Sequence, residues 1–325
     1  MTAETRTVTE DEAGIRLDRY LRRHYPGLTQ GVIQKSCRTG DIRVEGQRAE
    51  AGQRLAPGQS VRLRLAPAPA ARAAPPADPR RRAELAGLIL YADDQLIVLD
   101  KPFGLPVQGG PGITRHLDGM LDLLAEGGDR PRLVHRLDRD TTGVLLLART
   151  PGVAARLAAA FRGRAVGKTY WALIAGRAPQ PEGRIDLPLR RLPGQGAERG
   201  ARSAAAHPDD PEAAHAVTDY RTLDHAGRRI TWLELRPQTG RTHQLRVHCA
   251  ALGAPIVGDS KYGDPDQVMV AALEEKLYLH ARALTLPHPA GGVLEVTAPP
   301  PPHFRAGLAA LGFTLPPTPP PRRGG

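Results

Sequence analysis

The stretch Leu133-Val134-His135-Arg136-Leu137-Asp138-Arg139-Asp140-Thr141-Thr142-Gly143-Val144-Leu145-Leu146-Leu147 places a dense polar segment between two strand-like apolar pieces. A strand, a polar loop ending in Thr-Thr-Gly and a second strand would hold several functional groups at one sheet edge, within reach of a substrate. Taken alone, the segment also reads as a charged β-turn with solvated ion pairs. Asp138 and Asp140 could be mistaken for a glycosidase or metal pair. Arg136 and Arg139 flank them, however, and the further acidic or His ligands that a hard cation takes are missing.

Outward from this segment, short apolar runs recur at 88–91, 96–99, 144–147, 170–174, 231–235 and 293–296, with helical spacing at 153–161, 241–252 and 268–276. Tyr91-Ala-Asp-Asp-Gln-Leu96, between two runs, signals a hairpin. Strand clusters broken by occasional helices, without regular βαβ alternation, predict an α+β fold with mixed or antiparallel sheets and flanking helices. Residues 66–83 alternate Pro and Ala and then turn basic, the composition of a stiff linker. The organisation predicted is a small domain at 1–65, this linker, a catalytic domain at 84–313 and a disordered tail at 314–325.

The 325 residues leave room for two domains, and 41% hydrophobic with 24% charged residues suits a folded core. A net charge of +11 favours a polyanionic partner. No apolar run reaches the length of a membrane span, and MTAETRTVTEDEAG lacks a hydrophobic signal core, so a cytoplasmic protein without a membrane partner is predicted. Cys37 and Cys249 form neither a disulfide framework nor a zinc knuckle. Phosphate-binding glycine motifs are lacking as well. The expectation is therefore a monomer that works with side chains alone, using no metal, nucleotide or other cofactor.

Residues 14–65 hold eleven basic and four acidic side chains. Leu17, Tyr20 and Leu21 fall at helical spacing, with Arg19, Arg22 and Arg23 around the other face. A second helix is predicted after Thr29 as N-cap, carrying Val32 and Ile33, exposing Lys35 and Arg38, and ending at Gly40. The turn Gly40-Asp41-Ile42-Arg43-Val44-x-Gly46 follows. Basic helix, turn and small sheet together resemble an S4 RNA-binding module, which would make Arg19, Arg22, Arg23, Lys35, Arg38 and Arg43 RNA contacts. An ordinary solvated helical face is the plainer alternative.

A second cluster, Thr239-Gly240-Arg241-Thr242-His243-Gln244-Leu245-Arg246-Val247-His248, reads as a turn feeding a helix. Leu245, Cys249 and Leu252 would form its buried stripe, leaving Arg241, Gln244 and Arg246 on other faces. His243 and His248 stand five apart, off the geometry of a helical zinc pair.

HRLDRDTTG together with TGRTHQLRVH resembles the RluA-type family of RNA pseudouridine synthases. Lys101-Pro102-x-Gly104-Leu105, Lys168-Thr169-Tyr170, Gly258-Asp259-x-x-Tyr262-Gly263 and Leu279-His280-Ala281 support the likeness. Asp100, Phe103 and an insertion around 204–216, predicted to be a peripheral loop, depart from the pattern. The stretch at 101–112 with Arg115-His116-Leu117-Asp118-Gly119 is most similar to the RluC branch, which implies large-subunit (23S) ribosomal RNA as partner. Acting on tRNA, or serving as a non-catalytic ribosome-assembly factor, are the rival readings.

The resemblance implies Asp138 as catalytic carboxylate, Arg246 as its basic partner, Tyr170 as active-site tyrosine and Arg136 as the side chain filling the helix when the target base swings out. His135, Arg139, Arg241, His243 and Gln244 would contact RNA. Chemically, a carboxylate is ionised at neutral pH, and an arginine beside it keeps it so. Attack at C6, attack at C1' and formation of a glycal by loss of a sugar proton all fit such an anion. A stacked uridine would first have to be extruded.

Overall fold

The computed structural model describes residues 2–25, 28, 30–65, 79–110, 112–125, 128–192, 202–263 and 273–324. Thr29, residues 66–78 of the predicted linker and most of the predicted helix 268–276 lie outside the described residues. The chain divides into two compact units, Met1–Asp78 and Pro79–Gly325.

In the first unit an antiparallel sheet orders its strands as Thr2–Thr7, Ser60–Leu65, Ile42–Val44 and Gln47–Arg48. The helices Leu17–His24 and Gln30–Thr39 pack on it. Leu17, Tyr20 and Leu21 enter the core at the anticipated spacing, while Arg19, Arg22 and Arg23 are exposed. The second helix turns differently from expectation. It buries Ile33, Ser36 and Cys37, one face at i, i+3 and i+4, and leaves Val32 exposed. Lys35 and Arg38 are exposed, and Gly40 follows the helix at a φ of 82°.

The second unit has a mixed α+β fold. Its large sheet runs in the order Glu182–Asp186, Val217–Ala226, Ile230–Pro237, Gly167–Ala175, Leu279–Pro287, Thr142–Ala148, Leu96–Lys101, Ile89–Ala92. All neighbours along this path are antiparallel except Leu279–Pro287 with Thr142–Ala148. Every residue of Thr142–Ala148 is buried. Its even and odd positions serve opposite cores. Leu145 and Leu147 join Leu117, Leu121 and Leu137, whereas Val144 and Leu146 join Val153 and Leu157 of the helix Pro151–Arg162. Each such Leu or Val contributes about 1.5–3 kcal/mol by leaving water. This two-sided burial is why 144–147 is an unbroken apolar run.

Two expectations need correction. The last residues assigned to the linker begin a helix, Pro79–Ala86, whose Leu85 is fully buried in the core. The tail expected to be disordered is tied down: Arg322–Gly324 pairs with Val293–Glu295, and buried Arg282 donates to Thr318 Oγ1 at 2.9 Å. The physical reason is that this tail offers backbone groups to an open strand edge and acceptors to a buried guanidinium, although it has little to bury. Among the described residues no helix is long and apolar enough to cross a membrane.

Candidate active site

Strand register assembles the site. Gly143 pairs with Ala281, and Ala281 on its other side pairs with Tyr170. Tyr170 therefore lies two strand spacings, about 10 Å, from the end of the loop that carries Asp138. Gly143 has a φ of 104°, and a Cβ there would run into the Ala281 carbonyl, so glycine is required where these strands meet. The Thr141 N–H donates to the Asp138 carbonyl at 3.3 Å and closes the loop. Lys101, fully buried, ties the same loop down by donating to the carbonyls of Pro102, Leu105 and Arg139 at 2.9, 2.9 and 2.7 Å.

Arg246 comes from the helix Gln244–Ala251, which follows Ile230–Pro237 and packs through Leu245 and Cys249 against Leu233 and Leu235. Its main partner is Asp259, gripped in two-pronged fashion by Nε to Oδ2 at 2.7 Å and Nη2 to Oδ1 at 2.6 Å. Asp259 also accepts from the amides of Lys261 and Tyr262 at 2.9 and 3.1 Å. The remaining nitrogen, Nη1, stands 3.5 Å from Asp138 Oδ2. Arg246 thus meets Asp138 as expected, but as the outer arm of a buried pair that the motifs alone do not indicate. The guanidinium lies 5.2 Å from the centre of the Tyr262 ring. Burial opposes its charge, yet the bonds and charge of Asp259 outweigh burial and raise its pKa.

Asp138 is half-buried, with 24% of its side chain exposed, and His243 Nε2 also approaches Oδ2, at 3.7 Å. Burial, reinforced by the charge of Asp138, pushes the Tyr170 phenol well above its usual range, so it stays protonated at neutral pH. Burial likewise lowers Lys101 to about 7, against the opposing pull of Asp140 and Asp138. A cavity of about 350 Å³ opens alongside, lined by Phe103, Gly104, Arg139, Asp140, Arg246 and Lys276. That is the size of a small-ligand pocket.

The proposed RNA contacts separate. Arg136 is exposed, with a contact to Gln108 Oε1 at 3.4 Å. Arg139 is exposed and paired with Asp140 at 2.9 and 3.0 Å, and Arg241 is exposed while donating to the His215 carbonyl at 3.0 Å. His135 and Gln244 are structural instead. His135 accepts from the Leu146 amide at 2.9 Å and stacks on Phe161, and burial lowers its pKa to about 3. Gln244 donates to the Val217 carbonyl and Thr218 Oγ1 and accepts from Thr239 Oγ1 and the Arg241 amide. The helix has no exposed face for it, because every residue from 244 to 249 is buried. Arg19, Arg22, Arg23, Lys35, Arg38 and Arg43 are exposed on the first unit, Arg43 also holding its own turn through the carbonyls of Gly40 and Gly46.

The insertion around 204–216 is a loop at 206–212, mostly exposed, but both of its ends reach into strands. Arg202–Ala205 and Ala213–Ala214 pair with Leu189–Leu192 in a three-stranded sheet, and the Ser203 amide donates to the Tyr262 hydroxyl at 3.0 Å. The motif carrying Asp259 and Tyr262 is visible in sequence. Their partners are not, being set by the fold.

Residues 95–251 match the family model described as RNA pseudouridylate synthase. An uncharacterized RNA pseudouridine synthase of Synechocystis sp. is 34% identical over 95% of this chain and 93% of its own length. The chain belongs to the RNA pseudouridine synthase family. Ribosomal large subunit pseudouridine synthase C of Vibrio cholerae is 33% identical over 94% of this chain and 95% of its own. Among solved structures, human RNA pseudouridylate synthase domain containing 4 superposes with a TM-score of 0.62 at 31% identity, covering 72% of this chain and 97% of that one. The family's reaction is an isomerisation, and its substrate is RNA.

Proposed function

We propose that this pseudouridine synthase modifies uridines of large-subunit ribosomal RNA, with Asp138 as the reacting carboxylate. The observation that carries the assignment is the single Nη1 arm of Arg246, locked on Asp259 and directed at a half-buried Asp138, whose loop neighbours Arg139 and Asp140 line a cavity of about 350 Å³ together with Arg246. The similarity to the large-subunit enzyme of V. cholerae supports the substrate.

The reaction breaks C1'–N1, rotates the uracil, joins C1' to C5, releases the C5 proton to solvent and leaves N1 to take one up, so the product is an isomer of uridine. Asp138 supplies the anion at C1' or C6. Arg246 orients it without taking its proton, since a guanidinium remains charged. Tyr170, a neutral phenol, offers a ring face and an O–H donor to the uracil. Arg136, exposed and two residues before Asp138, suits the gap left by a flipped base, because its planar guanidinium stacks on neighbouring bases. The basic first unit, similar in outline to an S4 module, would anchor the RNA through its phosphates.

RNA labelled with tritium at C5 of uridine provides the test, because isomerisation frees that hydrogen. Release from large-subunit ribosomal RNA, absent with tRNA and with Asp138→Asn, is the expected result. Release from tRNA alone would overturn the ribosomal reading, and release by Asp138→Asn the catalytic one.

A further inference from the structure

His243 precedes the helix Gln244–Ala251 with φ 54° and ψ 20°, a left-handed conformation disfavoured for any residue with a Cβ. The ring that this backbone presents has a definite partner at each nitrogen. Nδ1 lies 2.8 Å from the Tyr262 hydroxyl, and Nε2 lies 3.7 Å from Asp138 Oδ2. Tyr262 stands edge-on to the imidazole, with ring centres 5.6 Å apart.

The proton inventory fixes the direction of this chain. The Tyr262 oxygen accepts from the Ser203 amide at 3.0 Å, which leaves its one hydrogen for His243 Nδ1. Nδ1 is then an acceptor, and the proton of a neutral imidazole sits on Nε2, facing the carboxylate. The opposite tautomer would set a lone pair against the anion. Burial favours the neutral ring, outweighing the pull of Asp138, while Arg246 and Lys261 push the same way as burial and Asp259 against it. Ser203, buried, lies on the strand Arg202–Ala205 that leads into the insertion, and Arg202 adds a bond to the Lys261 carbonyl at 2.5 Å. The strand leading into the insertion thereby acts on the site through Tyr262.

We propose that His243 is a positioning residue for the isomerisation: locked as its Nε2–H tautomer by Ser203 and Tyr262, it shares Oδ2 of Asp138 with Arg246 and leaves Oδ1 as the oxygen that meets the uridine. The inference rests on Asp138 being the reacting carboxylate. At 3.7 Å the contact is electrostatic, longer than a hydrogen bond, and it tightens when substrate excludes water.

Single-turnover tritium release and RNA affinity are measured for His243→Ala, His243→Gln and Tyr262→Phe of the full chain. Losing this contact, which becomes a hydrogen bond to a charged group once it tightens around substrate, should slow His243→Ala about ten- to a hundredfold, with RNA Kd within a few fold. His243→Gln, whose amide N–H reaches the place of Nε2, should recover most of that loss. Tyr262→Phe keeps the ring under Arg246 but frees the tautomer. Its deficit should shrink only at a pH acid enough to charge the ring, where an imidazolium donates from both nitrogens, and burial puts that point below the ordinary imidazole value. A His243→Ala rate within about twofold of wild type, or a Tyr262→Phe rate equal to wild type at neutral pH, overturns the proposal. Nitrogen-15 NMR of the full chain reads the tautomer without any turnover, and an Nδ1–H form in the wild type also overturns it. Wild-type protein that releases no tritium from any RNA refutes the assigned chemistry instead, while the tautomer still decides the case of His243.

Discussion

Arg246→Met keeps the length of the aliphatic stem and removes the guanidinium, and the structure divides its consequences between two carboxylates. Asp259 has no exposed side-chain surface and loses both bonds at 2.6 and 2.7 Å, retaining only the two amides. Breaking a buried pair from one side costs about 3–5 kcal/mol, a large share of a total stability of about 5–15 kcal/mol. Asp138 gives up a single charge neighbour at 3.5 Å on a carboxylate 24% exposed, worth at most about 1 kcal/mol after screening. Stability should therefore follow Asp259 and turnover Asp138. Urea unfolding followed by tryptophan fluorescence reads the second unit, since both tryptophans, Trp171 and Trp232, lie in one of its cores. The single variant should lose about 3–5 kcal/mol, and adding Asp259→Leu should restore about 2 kcal/mol or more by removing the orphaned charge. Turnover should stay low in both, with Arg246→Lys intermediate. Arg246→Met within about 1 kcal/mol of wild type, or a double variant no more stable than the single one, would refute this reasoning.

Asp138→Asn preserves shape and should abolish tritium release while leaving RNA affinity within a few fold, checked by filter binding. Removing residues 1–78, a cut that spares the helix Pro79–Ala86 and its buried Leu85, should keep turnover but weaken RNA binding. Its log–log salt slope should fall by about 0.7–0.9 for each phosphate no longer bound, and an unchanged slope would mean that the first unit does not touch phosphates. Lys101 is lowered to about 7 in the fold, whereas an unfolded lysine holds its proton to about 10.4. Between those values the unfolded state binds more protons, so this group's contribution to stability rises with pH across that window. Urea midpoints from pH 7 to pH 9 should show that rise in wild type and a flatter profile in Lys101→Met.

What could be read from the sequence follows from how each side chain is covered. The run 144–147 was legible because its strand is buried on both faces, and Leu17, Tyr20 and Leu21 because their helix covers one core only. Val32 was misplaced for want of a single turn: the true stripe includes the polar Ser36, which a hydrophobic count passes over. In the helix Gln244–Ala251 periodicity finds the stripe of Leu245 and Cys249 but not the burial of Gln244 and Arg246, since residues 244–249 are covered on every side and leave no solvent face there. His135 and Gln244 look like RNA contacts for the same reason. Polar residues in a motif suggest ligand binding, yet these two satisfy backbone groups that would otherwise be orphaned.

Asp138, Tyr170 and Arg246 converge because the strand register and the helix that follows its edge leave them no other place. The resemblance to a family could name these three. It could not name what aims them, because Asp259, Tyr262 and Ser203 act through contacts between segments 13 to 59 residues apart. The strand Arg202–Ala205, which leads into the insertion, supplies one of those contacts. A change in the length or path of this segment would therefore alter the orientation of His243 and Tyr262 without changing any motif residue, and differences in rate among enzymes with identical motifs should be sought there.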